Sequence, residues 1–461
     1  MKLILRLTIA LLFWALTGQA QSPSALVDGY VQEGLQNNLA LKQEGLDISR
    51  VRELLNQARS LFYPRVAFNP TYSLAAGGRR LEFPVGDLLN PAYAALNGLT
   101  GSERFPTNIP NVNQLLAPND FHDTKLAVQY ALYNTDIQYN YLIQKSLLSA
   151  QEARKRVIEN EIRYIIQTAY YQYLQTLEGL RIFDNARSTL GELARLNQKL
   201  VVNNVATKEV VTQARYELSK VDQQVAVAQR NREAARAYFN FLLNRELTAP
   251  IQIDSTLASV APSPQVADRL GVEVLTGLQQ LAVRNRQEVG QLGYSLAAAQ
   301  TAVKLNEANA LIPNLYVGGN AGFQGFGYSF RKQAYVVAQL GLQWDLFRGY
   351  EKRSKIQQAK IQTDILQTRL TELERQIQLQ VLQAWYDLDA AQKNLTATQS
   401  GADNAEQTFR ILDSKYRNGQ ALLIEFLRGQ NDRLTAQLQQ SLARMDVLIK
   451  RAALDRAVAA N

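Results

Sequence analysis

The sequence predicts a mainly α-helical chain that also supplies strands to a membrane β-barrel, built from a duplicated unit of one strand pair and very long helices. Three observations carry this prediction. The chain repeats internally. It holds heptad-patterned stretches of about 65 residues that nothing in the sequence interrupts. It also holds four runs of alternating apolar and polar residues, each about ten residues long, as a tilted transmembrane strand needs.

The first twenty of the 461 residues are expected to lie outside the fold. Lys2 and Arg6 precede a short apolar core, Leu7 to Leu16, and Gly18-Gln19-Ala20 ends it with small residues. That is the pattern of a secretory signal peptide cut after Ala20. Removing Lys2 and Arg6 leaves 48 basic against 41 acidic side chains, a net +7 scattered along helices. Such a balance suits a solvated surface and gives no nucleic-acid patch. With no Cys and a single His, His122, disulfides, Cys/His zinc sites and a motif-bearing catalytic triad are excluded, and no cofactor is expected. An enzyme is therefore a poor class for this chain.

The two halves correspond in order. Leu61-Phe62-Tyr63-Pro64 matches Leu311-Ile312-Pro313, Gln129-Tyr130-Ala131-Leu132-Tyr133-Asn134 matches Gln343-Trp344-Asp345-Leu346-Phe347-Arg348, and Ala169-Tyr170-Tyr171 matches Ala384-Trp385-Tyr386. Asn203-Asn204-Val205-Ala206 then matches Asn418-Gly419-Gln420-Ala421. The first repeat covers 21–246, a Pro/Ser/Ala-rich linker covers 247–270, and the second repeat covers 271–461. The offset changes inside the strand-to-strand segment, which is about 35 residues longer in the first half, as a tolerant surface loop allows.

Long helices are expected at about 136–201, 207–244, 350–416 and 421–457. In the third, Leu366, Leu370, Leu373, Ile377, Val381, Ala384, Leu388, Ala391, Leu395, Ala402, Ala405, Phe409, Leu412 and Tyr416 follow a heptad seam with a stutter around Ile377. Strands are expected at about 64–76, 124–134, 314–325 and 335–347. In the first, Val66, Phe68, Tyr72 and Leu74 oppose Arg65, Asn69, Thr71 and Ser73. Pro70 there requires a bulge or an early strand end. Residues 77–123, with five prolines, are expected as a long exterior loop, and 325–334 as a short one. Four strands cannot close a barrel, for which about eight is the minimum, whereas three copies would supply twelve. The mature chain has no run long enough for a transmembrane helix.

The duplicated unit, Pro64 and Pro313 opening each first strand, and the Trp344-to-Gly349 stretch after the fourth strand together resemble the TolC family of outer-membrane efflux proteins. The resemblance implies a homotrimeric, twelve-stranded barrel in the outer membrane, joined to an α-helical coiled-coil tunnel through the periplasm. It implies a passive exit duct for small molecules or polypeptides, docked to an inner-membrane pump through a periplasmic adaptor protein. The family's tip pattern, Tyr-x-x-Gly with acids six and nine residues on, is matched by Tyr416, Gly419 and Glu425, but the last position is Arg428. The pore constriction is therefore expected at Tyr416, Gly419, Glu425 and Arg428, and adaptor contact at Asn204, Thr207, Lys208, Glu209, Ala421 and Leu422. A periplasmic coiled-coil adaptor or structural protein is the alternative reading.

Overall fold

The computed structural model describes residues 25–115, 120–254, 257 and 272–459. The expected signal peptide and most of the linker fall outside the described residues. Contacts divide the chain into two compact units. One gathers the described parts of Met1–Arg52, Ser146–Ala297 and Thr363–Asn461, and the other Glu53–Lys145 and Ala298–Gln362.

The first half runs α1 (Ala25–Asn37), α2 (Leu39–Ser60), β1 (Arg65–Ser73), β2 (Arg80–Phe83), α3 (Val85–Thr100), β3 (Val112–Leu115), β4 (Phe121–Tyr133), α4 (Thr135–Val202) and α5 (Lys208–Leu242). The second runs α6 (Val272–Asn285), α7 (Gln287–Leu311), β5 (Asn314–Phe326), β6 (Ala334–Gln343), α8 (Glu351–Arg417) and α9 (Leu423–Val458). Apart from β2, α3 and β3, the second half repeats the order of the first.

Helices α4 and α8 have 68 and 67 residues, which at 1.5 Å per residue is about 100 Å each. Such lengths exceed any single core, and the helical unit accordingly holds several. In one, Val27, Tyr30 and Val31 of α1 pack on Ile162, Ile166 and Tyr170 of α4 and on Phe239 of α5. The Tyr30 and Phe239 rings meet edge to face at 5.1 Å, the geometry that aromatic quadrupoles favour. A second core joins Ala282 of α6 to Ile377, Val381 and Leu388 of the α8 seam and to Leu454 of α9. A third joins α4, α5, α8 and α9 through Leu190, Leu193, Ala214, Val221, Phe409 and Phe426.

The start of the expected linker is tied to the first core. Tyr30 Oη accepts from Gln252 N at 2.8 Å, and Tyr170 Oη donates to Gln252 O at 3.1 Å and accepts from Asp254 N at 3.0 Å. Burial pushes the Tyr170 and Tyr171 hydroxyls up to about 12, because a phenolate there would lose its hydration.

Each pair of long helices is joined by the same turn. Asn204 N donates to Val201 O at 3.0 Å and Val205 N to Leu200 O at 2.9 Å; Gly419 N donates to Tyr416 O at 3.0 Å and Gln420 N to Lys415 O at 2.8 Å. These are two Schellman motifs, with Asn204 (φ 58°) and Gly419 (φ 74°) in the left-handed position.

The second unit contains a four-stranded antiparallel sheet of order β1-β4-β5-β6. β4 pairs with β5 from Phe121↔Phe326 to Tyr133↔Leu315, so the strand pairs of the two halves form one sheet. Several sequence expectations are corrected here. Pro70 causes neither a bulge nor an early end: it pairs opposite Thr124 in an unbroken register, on an edge strand, where a missing donor is tolerated. The irregularity lies instead in β4, between Ala131 and Tyr133. β1 is shorter than expected, stopping at Ser73, so Leu74 lies beyond it. β4 starts at Phe121, three residues before the expected 124. β6 ends at Gln343, leaving Trp344 and Leu346 outside the strand. The segment 77–123, expected as a loop, has regular structure among its described residues: the antiparallel β2–β3 pair and the 16-residue helix α3.

Two outcomes follow for the helical unit. Gly419→Ala places a Cβ in the left-handed region, at a cost of about 1–2 kcal/mol, and lowers the thermal midpoint in calorimetry, whereas Asn204→Gly leaves it unchanged or raises it. The phenol groups of Tyr170 and Tyr171 titrate above their ordinary value of 10.0, so their contribution is fully present below about pH 10 and is lost as pH rises towards 12. Thermal midpoints followed by circular dichroism fall across that window, and Tyr171→Phe makes the fall shallower.

Candidate functional site

Strand alternation gives the sheet two chemically different faces. One carries Val66, Phe68, Leu126, Val128, Val317, Val336, Leu340 and Leu342, nearly all exposed in the single chain, Val336 to 80%. The other carries Arg65, Asn69, Gln129, Asn320, Gln324, Gln339 and Gln343. This polar face borders an open cleft of about 890 Å³ lined by Arg65, Gln129, Asn320, Gln339 and Gln343 among others. Farther along it, Asp123 accepts from Tyr335 Oη at 2.8 Å and pairs with Lys125.

Aromatic residues mark both ends of the apolar face. At one end the β5–β6 loop folds Tyr328 and Phe330 over His122, with ring centroids 5.1 and 5.5 Å away. His122 Nε2 donates to Ser329 O at 2.9 Å and Gln333 Oε1 at 2.6 Å, and the ring is fully buried. The only histidine thus fastens a loop to the sheet, a role that the sequence did not disclose. At the other end Trp344, Phe347 and Tyr350 are exposed. There Arg348 pairs with Asp345 at 2.8 Å, and Gly349 and Tyr350 both have positive φ, turning the chain from β6 into α8.

Both edges of the sheet are open. Among the described residues, β1 and β6 each pair on one side only, leaving a row of backbone donors and acceptors without partners.

In the helical unit the two turns are locked together. Asn197, fully buried on α4, accepts from Tyr416 Oη at 2.7 Å and donates through Nδ2 to Val210 O at 3.1 Å. Burial raises the Tyr416 hydroxyl above its ordinary value. The Tyr416 ring lies 5.3 Å from that of Phe426, which meets Phe409 at 5.2 Å. Glu425 is exposed, and its carboxylate accepts from Leu422 N at 2.8 Å at the start of α9, which is the N3 half of a capping box, since the Leu422 side chain has no acceptor. Arg428 is exposed and makes no ion pair among the described residues, with Glu425 or any other group.

Asn204, Thr207, Lys208, Glu209 and Leu422 are exposed at the turns, and Ala421 is half-buried. Thr207 and Leu422 are the N-cap residues of α5 and α9, so both helices start just after them. Sequence reasoning missed Val202, Val205 and Ile424, which the same turns leave exposed. Val202 is the last residue of α4, Ile424 the second of α9, and Val205 lies in the turn between α4 and α5, where periodicity no longer assigns a face.

Residues 278–460 match the family described as Outer membrane efflux protein. No curated protein matches the chain. The fold is similar to that of the outer-membrane channel OprN, at 16% identity and TM-score 0.72, covering 95% of this chain and 90% of that one. The outer membrane protein VceC from Vibrio cholerae has 16% identity and TM-score 0.71 over 94% of this chain and 96% of its own. The open state of the Neisseria gonorrhoeae MtrE outer-membrane channel has 14% identity and TM-score 0.72 over 94% and 88%. Residues 278–460 thus match the outer membrane efflux protein family and the chain has the fold of outer-membrane channels, in agreement with the resemblance read from its sequence.

Proposed function

We propose that three copies of this chain close a twelve-stranded barrel in the outer membrane and continue as a helical tunnel into the periplasm. The assembly is a passive exit duct for small molecules or polypeptides, which a periplasmic adaptor protein joins to an inner-membrane pump.

One observation carries this reading: a four-stranded sheet, apolar on one face and polar on the other, with both edges unpaired. Lipid offers no hydrogen bonds, so a strand can span it only in a closed sheet. Pairing β6 of one copy with β1 of the next satisfies both edges, turns the apolar face to lipid and the polar face to a wet lumen. The helices agree with it. Tyr216, Val227 and Tyr238 of α5 and Ile361, Ile365, Leu379 and Tyr386 of α8 stand exposed on a single copy. These stripes suit neighbouring copies along the tunnel.

The turns form the periplasmic end. Asn204, Thr207, Lys208, Glu209, Ala421 and Leu422 meet the adaptor, and the exposed Val202, Val205 and Ile424 add the apolar area that such a contact needs. Threefold symmetry places three Glu425 and three Arg428 around the tunnel mouth beside Tyr416 and Gly419. Each Glu425 is held in place by its own helix start, while Arg428 has no ion pair among the described residues of its own chain.

Purified protein in planar bilayers gives discrete conductance steps; a strictly monomeric, non-conducting protein would contradict the reading. Glu425→Gln keeps an acceptor for Leu422 N and removes only the charge, so it lowers cation preference in reversal-potential measurements while leaving stability unchanged. Glu425→Ala also removes the acceptor for Leu422 N, at a cost of about 0.5–1.5 kcal/mol for the lost hydrogen bond. Unchanged selectivity in both variants takes Glu425 out of the constriction.

A further inference from the structure

Helix α3 is a 16-residue helix whose two faces carry the same 4-3-4 spacing with opposite fates. The face Gly86, Asn90, Tyr93 and Asn97 is committed to the returning chain. Asn90 donates to Ile109 O at 2.9 Å and accepts from Ile109 N at 2.8 Å; Asn97 donates to Phe105 O at 2.7 Å and accepts from Phe105 N at 3.0 Å. Asn111 accepts from Asp87 N at 3.0 Å and donates to Asp87 Oδ2 at 2.8 Å. The Tyr93 and Phe105 rings lie 5.6 Å apart. Gly86 is obligatory, since a Cβ there would come within 2.0 Å of Ile109 O. The opposite face is Leu88, Ala92, Ala95 and Leu99. All four are exposed, Leu88 to 70% and Leu99 to 84%.

We propose that this outer stripe packs against the same stripe of the neighbouring copies, so that the α3 helices clasp the trimer. The proposal rests on the trimer reading. Three features favour a second copy as the occupant. Two leucines flanking two alanines at 4-3-4 spacing form a seam that lets helices approach closely and interlock. The helix has no Lys or Arg, and its one acid, Asp87, is engaged by Asn111. A helix that rests on a membrane surface instead carries basic residues on its polar face. The insertion also begins seven residues after β1, the edge strand at which the trimer reading places a joint between copies. The clamps to the return segment hold the stripe outward, so the helix presents it to a neighbour and cannot turn it inward.

The chain has no cysteine, so a single introduced thiol reports without background. In full-length protein in outer-membrane vesicles, Ala95→Cys treated with copper phenanthroline gives covalent dimers on non-reducing gels, because two of the three thiols come within the reach of a disulfide, Cβ atoms about 4.5 Å apart or closer. Glu103→Cys, beyond the helix, stays monomeric under the same treatment. If the unboiled protein keeps its heat-resistant trimer band while Ala95→Cys does not crosslink, the clasp is overturned and the trimer stands. If that band is absent as well, the trimer reading falls with it. Quenching of a bimane label on Ala95→Cys by nitroxide-bearing phospholipid would place the stripe against lipid and also overturn the clasp.

Discussion

The unpaired backbone of β1 and β6 constrains everything else in this molecule. A soluble sheet can leave its edges to water, but a sheet with Val66, Phe68, Val336 and Leu340 on one outward face is built for a medium that offers no hydrogen bonds. Among the described residues four strands make up this sheet, so in the proposed assembly the two missing ladders come from other copies. On that reading oligomerisation is a condition for the strands to exist in lipid, and the exposed stripes on α5 and α8 extend the same demand along the helices.

Much of this was legible in the sequence because it rests on local rules. The long helices follow from a heptad seam that no proline breaks, and the seam residues Ile377, Val381, Leu388, Ala391, Leu395, Ala402 and Phe409 are buried. The turns follow from residues that accept positive φ, Asn204 and Gly419, at equivalent points of the repeat. The two faces of the sheet follow from strict alternation. The resemblance to the TolC family, carried by the order of weak motifs, added the assembly that no single motif specifies.

What sequence reasoning missed depends on contacts between distant residues. Helix α3 was hidden by Pro91, which lies inside it and signals a break, and by a helix pattern in which both faces share one spacing. Its stability comes from the asparagine clamps to Phe105 and Ile109, and those partners lie beyond the helix itself. β4 begins earlier than its alternation suggests: Phe121, His122 and Asp123 pair with Phe326, Gly325 and Gln324 of β5, two hundred residues away. The repeat also conceals a difference: Tyr171 is 5% exposed while its counterpart Tyr386 is 60% exposed. Equivalent positions in a duplicated chain face different neighbours, and the sequence match carries no record of them. The tip residues show the same limit, since Glu425 was identifiable by position but its bond to Leu422 N was not.

The central claim is most directly tested by amide hydrogen exchange on the membrane-embedded protein. If copies close the sheet, amides of β1 and β6 exchange as slowly as those of the interior strands β4 and β5, with Pro70 the one position that has no amide to protect. Fast exchange along β1 and β6, with β4 and β5 alone protected, would mean that the edges remain open and would contradict the account.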